Sequence, residues 1–249
     1  MTNILHIDSS ARPGRAGEHP HGSQTRRLTH AFVQRWLRNE PAARVHYRDL
    51  GTMPPRPVHH EWIPAAFSAD ATRTPQQRGA LRESDALVQE LKAADVLVFG
   101  LPMYNFGVPA PVKAWIDNIV RVALTFDFEP GSDDPYVHLL ADRPRRAVLL
   151  TSRGGHGFDA GGPNGPLNHA DTALREVLAF VGITDVQTIA VEHEEDGGTL
   201  LEASVVRALA SVYGLADAWA RTAGSPINNP DARQGHADML LTSTYVQLL

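Results

Sequence analysis

The chain has 249 residues, 43% of them hydrophobic, which is enough to bury the core of one large domain. It has no cysteine, so disulfides, thiolate metal ligands and a cysteine nucleophile are excluded. A formal charge of -5 argues against a nucleic-acid binder, and no run reaches the roughly 18 consecutive apolar residues of a membrane span, so the expectation is a cytoplasmic protein acting on small molecules, with no nucleic-acid or membrane partner.

In chain order, Asn3 to Ile7 is a short apolar run that stops at Asp8-Ser9-Ser10, and Leu28, Phe32, Val33, Trp36 and Leu37 follow at helical spacing. Ala43 to Leu50 alternates like a strand, and the Pro-rich stretch from Thr52 to Pro64 reads as an irregular excursion. A helix is predicted from about Pro75 to Ala93, with Leu81, Leu87, Val88 and Leu91 on one face. The β-branched run Val96 to Gly100 predicts a strand. After it come the loop Pro102 to Pro109 and a helix to about Val122 that turns Val112, Trp115, Ile116, Ile119 and Val120 inward. The aromatic stretch Leu124 to Gly131 turns and leads through a loop to Pro144. Arg146 to Ser152 is a fourth strand, Leu167 to Val181 a helix closed by Gly182, Asp185 to Val191 a fifth strand and Leu200 to Ala220 a fifth helix.

Five strands interleaved with five helices predict an α/β fold with a doubly wound five-stranded parallel sheet covered on both faces. In the flavodoxin-like order 2-1-3-4-5, the carboxyl ends of strands one, three and four share a crevice where ligands bind. Residues 1–222 are assigned to this domain and 223–249 to a C-terminal extension, whose Leu240, Leu241, Tyr245 and Leu248 could dock on the protein or on a second subunit.

Those three strand ends carry distinct chemistry. Ser9, Ser10, Ser23, Gln24 and Thr25 bracket the passage into the first helix, where hydroxyls and free helical N–H groups can cradle a phosphate; Ser23 or Thr25 acting simply as an N-cap is the plainer alternative. Neither G-x-x-x-x-G-K-[ST] nor G-x-G-x-x-G is present, so a single terminal phosphate suits this loop better than a triphosphate or a dinucleotide. Tyr104-Asn105-Phe106 offers an aromatic pair around an amide to a flat ligand, and Gly154-Gly155 allows close backbone approach. His59-His60-Glu61 and His19-Pro20-His21 lack a third ligand at a recognisable spacing, and His193-Glu194-Glu195-Asp196 reads as a solvated acidic loop, so no metal site is expected. Flavin mononucleotide has the outline that the three loops require.

The ordered set Asp8-Ser9-Ser10, Ser23-Gln24-Thr25, Pro102-Met103-Tyr104-Asn105-Phe106, Leu124-Thr125-Phe126 and Thr151-Ser152-Arg153-Gly154-Gly155 resembles the FMN-dependent NADH azoreductase and NAD(P)H quinone reductase family of flavodoxin-like fold. The resemblance implies a homodimer with FMN between subunits and a two-step reaction: NADH or NADPH gives a hydride to flavin N5, which passes it to a quinone or azo acceptor. It further implies that Ser10, Ser23, Gln24 and Thr25 hold the phosphate. Met103, Tyr104, Asn105 and Phe106 line the isoalloxazine, and Ser152, Arg153, Gly154 and Gly155 meet its pyrimidine side. Phe126 and Phe128 are candidate substrate-pocket residues, and His156 is a candidate supporting donor. No residue is assigned a catalytic step of its own. The insertion from Arg12 to Gly22, read as a mobile surface loop, departs from the family pattern, as does the C-terminal extension. A flavodoxin-like electron carrier or a nonenzymatic flavin-binding module is the alternative class.

Overall fold

In a computed structural model, residues 1–133 and 135–222 are described; the extension at 223–249 and its apolar residues lie outside them. The main sheet has strands β1 (Asn3–Asp8), β2 (Arg44–Asp49), β3 (Val96–Pro102), β6 (Arg146–Ser152) and β7 (Asp185–Val191). They pair in parallel in the order β2-β1-β3-β6-β7, which is the expected 2-1-3-4-5 arrangement. The β3 run is buried throughout because both of its faces are covered. Val96 and Val98 pack with Leu28, Phe32 and Trp36 of helix α1 (Gln24–Asn39) and with Val205, Val212 and Trp219 of helix α6 (Gly198–Thr222). Leu97, Phe99 and Leu101 point the other way, as the two-residue period of a strand requires. They meet α3 (Pro75–Ala93), α4 (Ala110–Ile119) and α5 (Asp171–Val181). By length and composition α6 could cross a membrane, yet one face is packed against the sheet and Arg35 of α1 pairs with its Asp217 at 2.6 Å.

Local chemistry sets the helix ends. Thr74 accepts from the Gln77 N–H while the Gln77 side chain accepts from the Thr74 N–H, a reciprocal cap that starts α3 at Pro75. Helix α5 begins at Asp171 rather than Leu167, because Gly165–Leu167 forms a separate 3-10 turn. The Pro-rich excursion contains the short helix α2 (Trp62–Ala66), and the loop before Pro144 contains a hairpin of β4 (Phe126–Phe128) and β5 (Tyr136–His138). Gly182 ends α5 at φ 105°, a left-handed geometry that costs a side chain energy, and an added Cβ would lie 2.5 Å from the Ala141 nitrogen. Gly182→Ala is therefore expected to lower stability by about 1–3 kcal/mol, read as a lower urea midpoint with an unchanged slope.

Candidate functional site

The carboxyl ends of β1, β3 and β6 are tied together by named bonds. Both the N–H and the hydroxyl of Ser9 donate to the Gly100 carbonyl, at 3.1 and 2.7 Å, which fixes the first loop to the end of β3. The Met103 N–H donates to the Ser152 carbonyl at 2.9 Å, joining the β3 loop to the β6 loop. The Tyr104 hydroxyl accepts from the Ala11 N–H at 3.1 Å, closing the circuit back to the first loop. The sheet order alone places these ends at a topological switch point; the bonds make them one surface.

In the first loop, Ser23 caps α1 by accepting from the Arg26 N–H, and its hydroxyl lies 2.9 Å from that of Thr25. Ser10, Ser23, Gln24 and Thr25 are all buried, and the Gln24 Oε1 has no hydrogen-bond partner. At the end of β6 the buried Thr151 hydroxyl is likewise without one. Buried polar atoms left without partners are costly, and these two lie at the start of α1 and near the carboxyl end of β6. The insertion from Arg12 to Gly22 folds back on the start of α1 as a hydrogen-bonded loop: Ser23 N–H donates to Gly14 O at 3.0 Å and Ala16 N–H to Ser23 O at 3.1 Å. Its Arg12 guanidinium lies 3.6 Å from Glu194, beyond β7.

Beneath the loop lies a residue that sequence reasoning missed. Arg26 is almost fully buried, binds both carboxylate oxygens of Asp49 at 2.8 Å, and donates to the carbonyls of Ser10 at 2.9 Å and Arg12 at 3.0 Å. Asp8, 3.5 Å from the same guanidinium, also accepts from Thr29. Burial by itself would lower the Arg26 pKa, but Asp49 and Asp8 hold it above its ordinary value. Burial would raise the Asp8 carboxyl; the His6 imidazole, Thr29 and Arg26 hold it below the usual carboxylate range. A signal for Arg26 was in the sequence, because a cation in the first turn opposes the helix dipole and calls for a local anion.

The Tyr104 to Gly107 segment is a two-residue turn. Tyr104 and Gly107 exchange N–H···O bonds of 3.0 Å, and Asn105 and Phe106 both have positive φ, 49° and 67°. Asn tolerates that region, whereas for a bulky residue such as Phe it is strained; the Phe106 carbonyl is held by the His169 N–H at 2.8 Å. The turn leaves Tyr104 and Phe106 exposed at the crevice. Met103 is half-buried at its base.

The Arg153 side chain does not face the crevice. It is 0% exposed and surrounded by Asp159, Glu192 and Asp171, at 2.8, 3.0 and 3.4 Å. Burial would lower its pKa, but these three carboxylates keep it above its ordinary value. Arg153 thus braces the loop that presents Ser152, Gly154 and Gly155, leaving its backbone for any ligand. His156 is exposed, its ring stacked on His193 with centroids 4.6 Å apart. Phe126 and Phe128 are not brought to these loops within the chain. Phe126 packs against Phe180, and the β5 residue His138 bonds the Phe180 carbonyl. Phe180 sits at the far end of α5, next to the turn that enters β7, so the hairpin lies at the amino-terminal end of the strands.

This architecture and its strand-end crevice define a flavodoxin-like fold. A family model described as flavodoxin-like fold matches residues 2–212. The chain is 41% identical over 221 residues to FMN-dependent NAD(P)H:quinone oxidoreductase 1 of Pseudomonas aeruginosa, covering 87% of this chain and 99% of that protein. It is 39% identical to FMN-dependent NADH:quinone oxidoreductase 2 of Trichormus variabilis, covering 84% and 95%. Among solved structures, an azoreductase of Bacillus anthracis superposes with TM-score 0.75 at 24% identity, covering 88% of this chain and all of that one, which shows the shared fold. The chain belongs to the flavodoxin-like family of FMN-dependent NAD(P)H:quinone oxidoreductases.

Removing the Asp49 carboxylate leaves Arg26 buried with half its charge partners, so Asp49→Asn is expected to cost about 3 kcal/mol at pH 7 in urea unfolding. Burial would raise the Asp49 carboxyl, but Arg26 and the Thr52 backbone hold it below its ordinary value. A carboxyl depressed by folding stabilises fully above its unfolded pKa of about 3.9 and loses that contribution as pH falls through the folded value. The gap between wild type and variant should therefore narrow in acid.

Proposed function

We propose that this protein is an FMN-dependent NAD(P)H oxidoreductase that reduces quinones, with aromatic azo compounds as further acceptors. The observation that carries the reading is the convergence of a hydroxyl-rich helix start, an exposed aromatic turn and a glycine pair on one bonded surface, in a chain 41% identical to a quinone oxidoreductase. In this reading Ser10, Ser23, Gln24 and Thr25 receive the phosphate. Tyr104, Asn105 and Phe106, on their rigid turn, and Met103 beneath them orient the isoalloxazine. Ser152, Gly154 and Gly155 offer backbone and hydroxyl groups to the pyrimidine edge, where donors lower the cost of placing negative charge. Arg153 and Arg26 act behind these loops, holding their carbonyls and ends in place.

Bound there, FMN would supply the hydride chemistry that links NADH or NADPH to the acceptor. The protein has to orient the rings and keep one face of the crevice open. The hairpin bearing Phe126 and Phe128 cannot reach its own chain's crevice; in a homodimer it would roof the crevice of the second subunit, which is the role left for it. A cytoplasmic location belongs to the same reading. The test is steady-state turnover of FMN-loaded protein: NADH or NADPH oxidation should be stimulated by a benzoquinone and by an azo dye. No stimulation by a quinone, with FMN bound, would sink the assignment.

A further inference from the structure

We propose that His156, His193 and Asp196 form a binding site for a divalent transition-metal cation of the zinc class, bridging the loops after β6 and β7. The inference goes beyond the flavin chemistry and rests on other residues' geometry. One donor atom from each of the three side chains lies within 4.8 Å of the other two. His193 Nδ1 already lies 2.6 Å from an Asp196 carboxylate oxygen, and the His156 ring lies over that of His193 with an 18° tilt between planes.

The scaffold under these donors is fixed by backbone bonds. The N–H groups of His193, Glu194 and Glu195 donate to the carbonyls of Gly155, Arg153 and Gly154, at 3.0, 3.2 and 3.0 Å. The two loops are thus laddered directly below the imidazoles. The Gly197 N–H closes back on the His193 carbonyl at 3.0 Å, which brings Asp196 round to the His193 ring. His193 itself has φ 68°, in the left-handed region, which histidine adopts more readily than most side chains.

Two imidazoles with one carboxylate favour zinc, nickel or copper over magnesium or calcium, which prefer oxygen donors. Ligands at about 2.0–2.2 Å from a tetrahedral zinc stand roughly 3.3–3.5 Å from each other, so His156 must close in while the His193–Asp196 pair, now 2.6 Å apart, opens as zinc displaces the proton between them. Stacked rings cannot aim their lone pairs at one point, and it is the exposed His156 that turns out of the stack to complete the site. Water takes the remaining position. The cation would then pin the two loops at one end of the crevice.

The test is a calorimetric titration of zinc chloride into tag-free, full-length protein that has been treated with chelator and dialysed. The expected result is a single saturable site per chain, with a dissociation constant in the micromolar range or tighter. His193→Asn keeps a residue that tolerates positive φ while removing the imidazole; it and Asp196→Asn should each weaken binding at least about tenfold. The double variant His59→Ala/His60→Ala should bind as wild type does. Zinc should raise the unfolding temperature of the wild type and not that of His193→Asn. Absence of saturable zinc binding would overturn the proposal. So would wild-type affinity in a folded His193→Asn protein, judged by its circular dichroism. Neither readout uses flavin turnover, so its failure is distinguishable from failure of the quinone reductase reading.

Discussion

The structure of the crevice depends on the Arg26 guanidinium. It stands at the first turn of α1, where the helix dipole disfavours a cation, and is kept there by Asp49 and Asp8 at the ends of β2 and β1. From that position it holds the carbonyls of Ser10 and Arg12, so the first loop cannot rearrange without exposing or unpairing a buried charge. The loop's small polar groups, all buried, are thereby held at the ends of β1 and β3. Arg153 solves the corresponding problem under the β6 loop with three carboxylates. In both places a buried arginine braces the backbone from behind, under segments whose side chains are small: serine, threonine and glycine.

Between the two braces, the turn at Asn105 and Phe106 keeps two aromatic rings at the surface that hydrophobicity would otherwise bury. Its strain is opposed by the paired bonds between Tyr104 and Gly107 and by the bond to His169. A rigid, preformed wall suits a cofactor whose chemistry needs orientation more than conformational change.

Most of the fold was legible because the strongest signals were local or binary. β3 reads as a buried strand since a β-branched run of its length has no other use in a sheet covered on both faces. The α3 start was visible through Pro75, and the α5 stop through Gly182. The β4–β5 hairpin was not legible, because three-residue strands give no period to read. The direction of the Arg153 side chain was equally hidden. It is set by Asp159, Asp171 and Glu192, which lie 6, 18 and 39 residues away and meet it only through the tertiary fold. Phe126 and Phe128 were placed near the flavin by resemblance, whereas within one chain they pack at the opposite end of the strands.

In a flavin cradle formed by the loops after β1, β3 and β6, the buried polar side chains at the start of α1 bind the cofactor's phosphate. Gln24 tests this, since it is buried at the start of α1, where its side-chain NH2 can donate to a phosphate, while its Oε1 has no partner within the protein. The measurement is FMN affinity by equilibrium dialysis for wild type and Gln24→Met, alongside urea unfolding of each apoprotein. FMN binding should weaken roughly fivefold, about 1 kcal/mol, with the apoprotein no less stable than wild type. An unchanged FMN dissociation constant would contradict it.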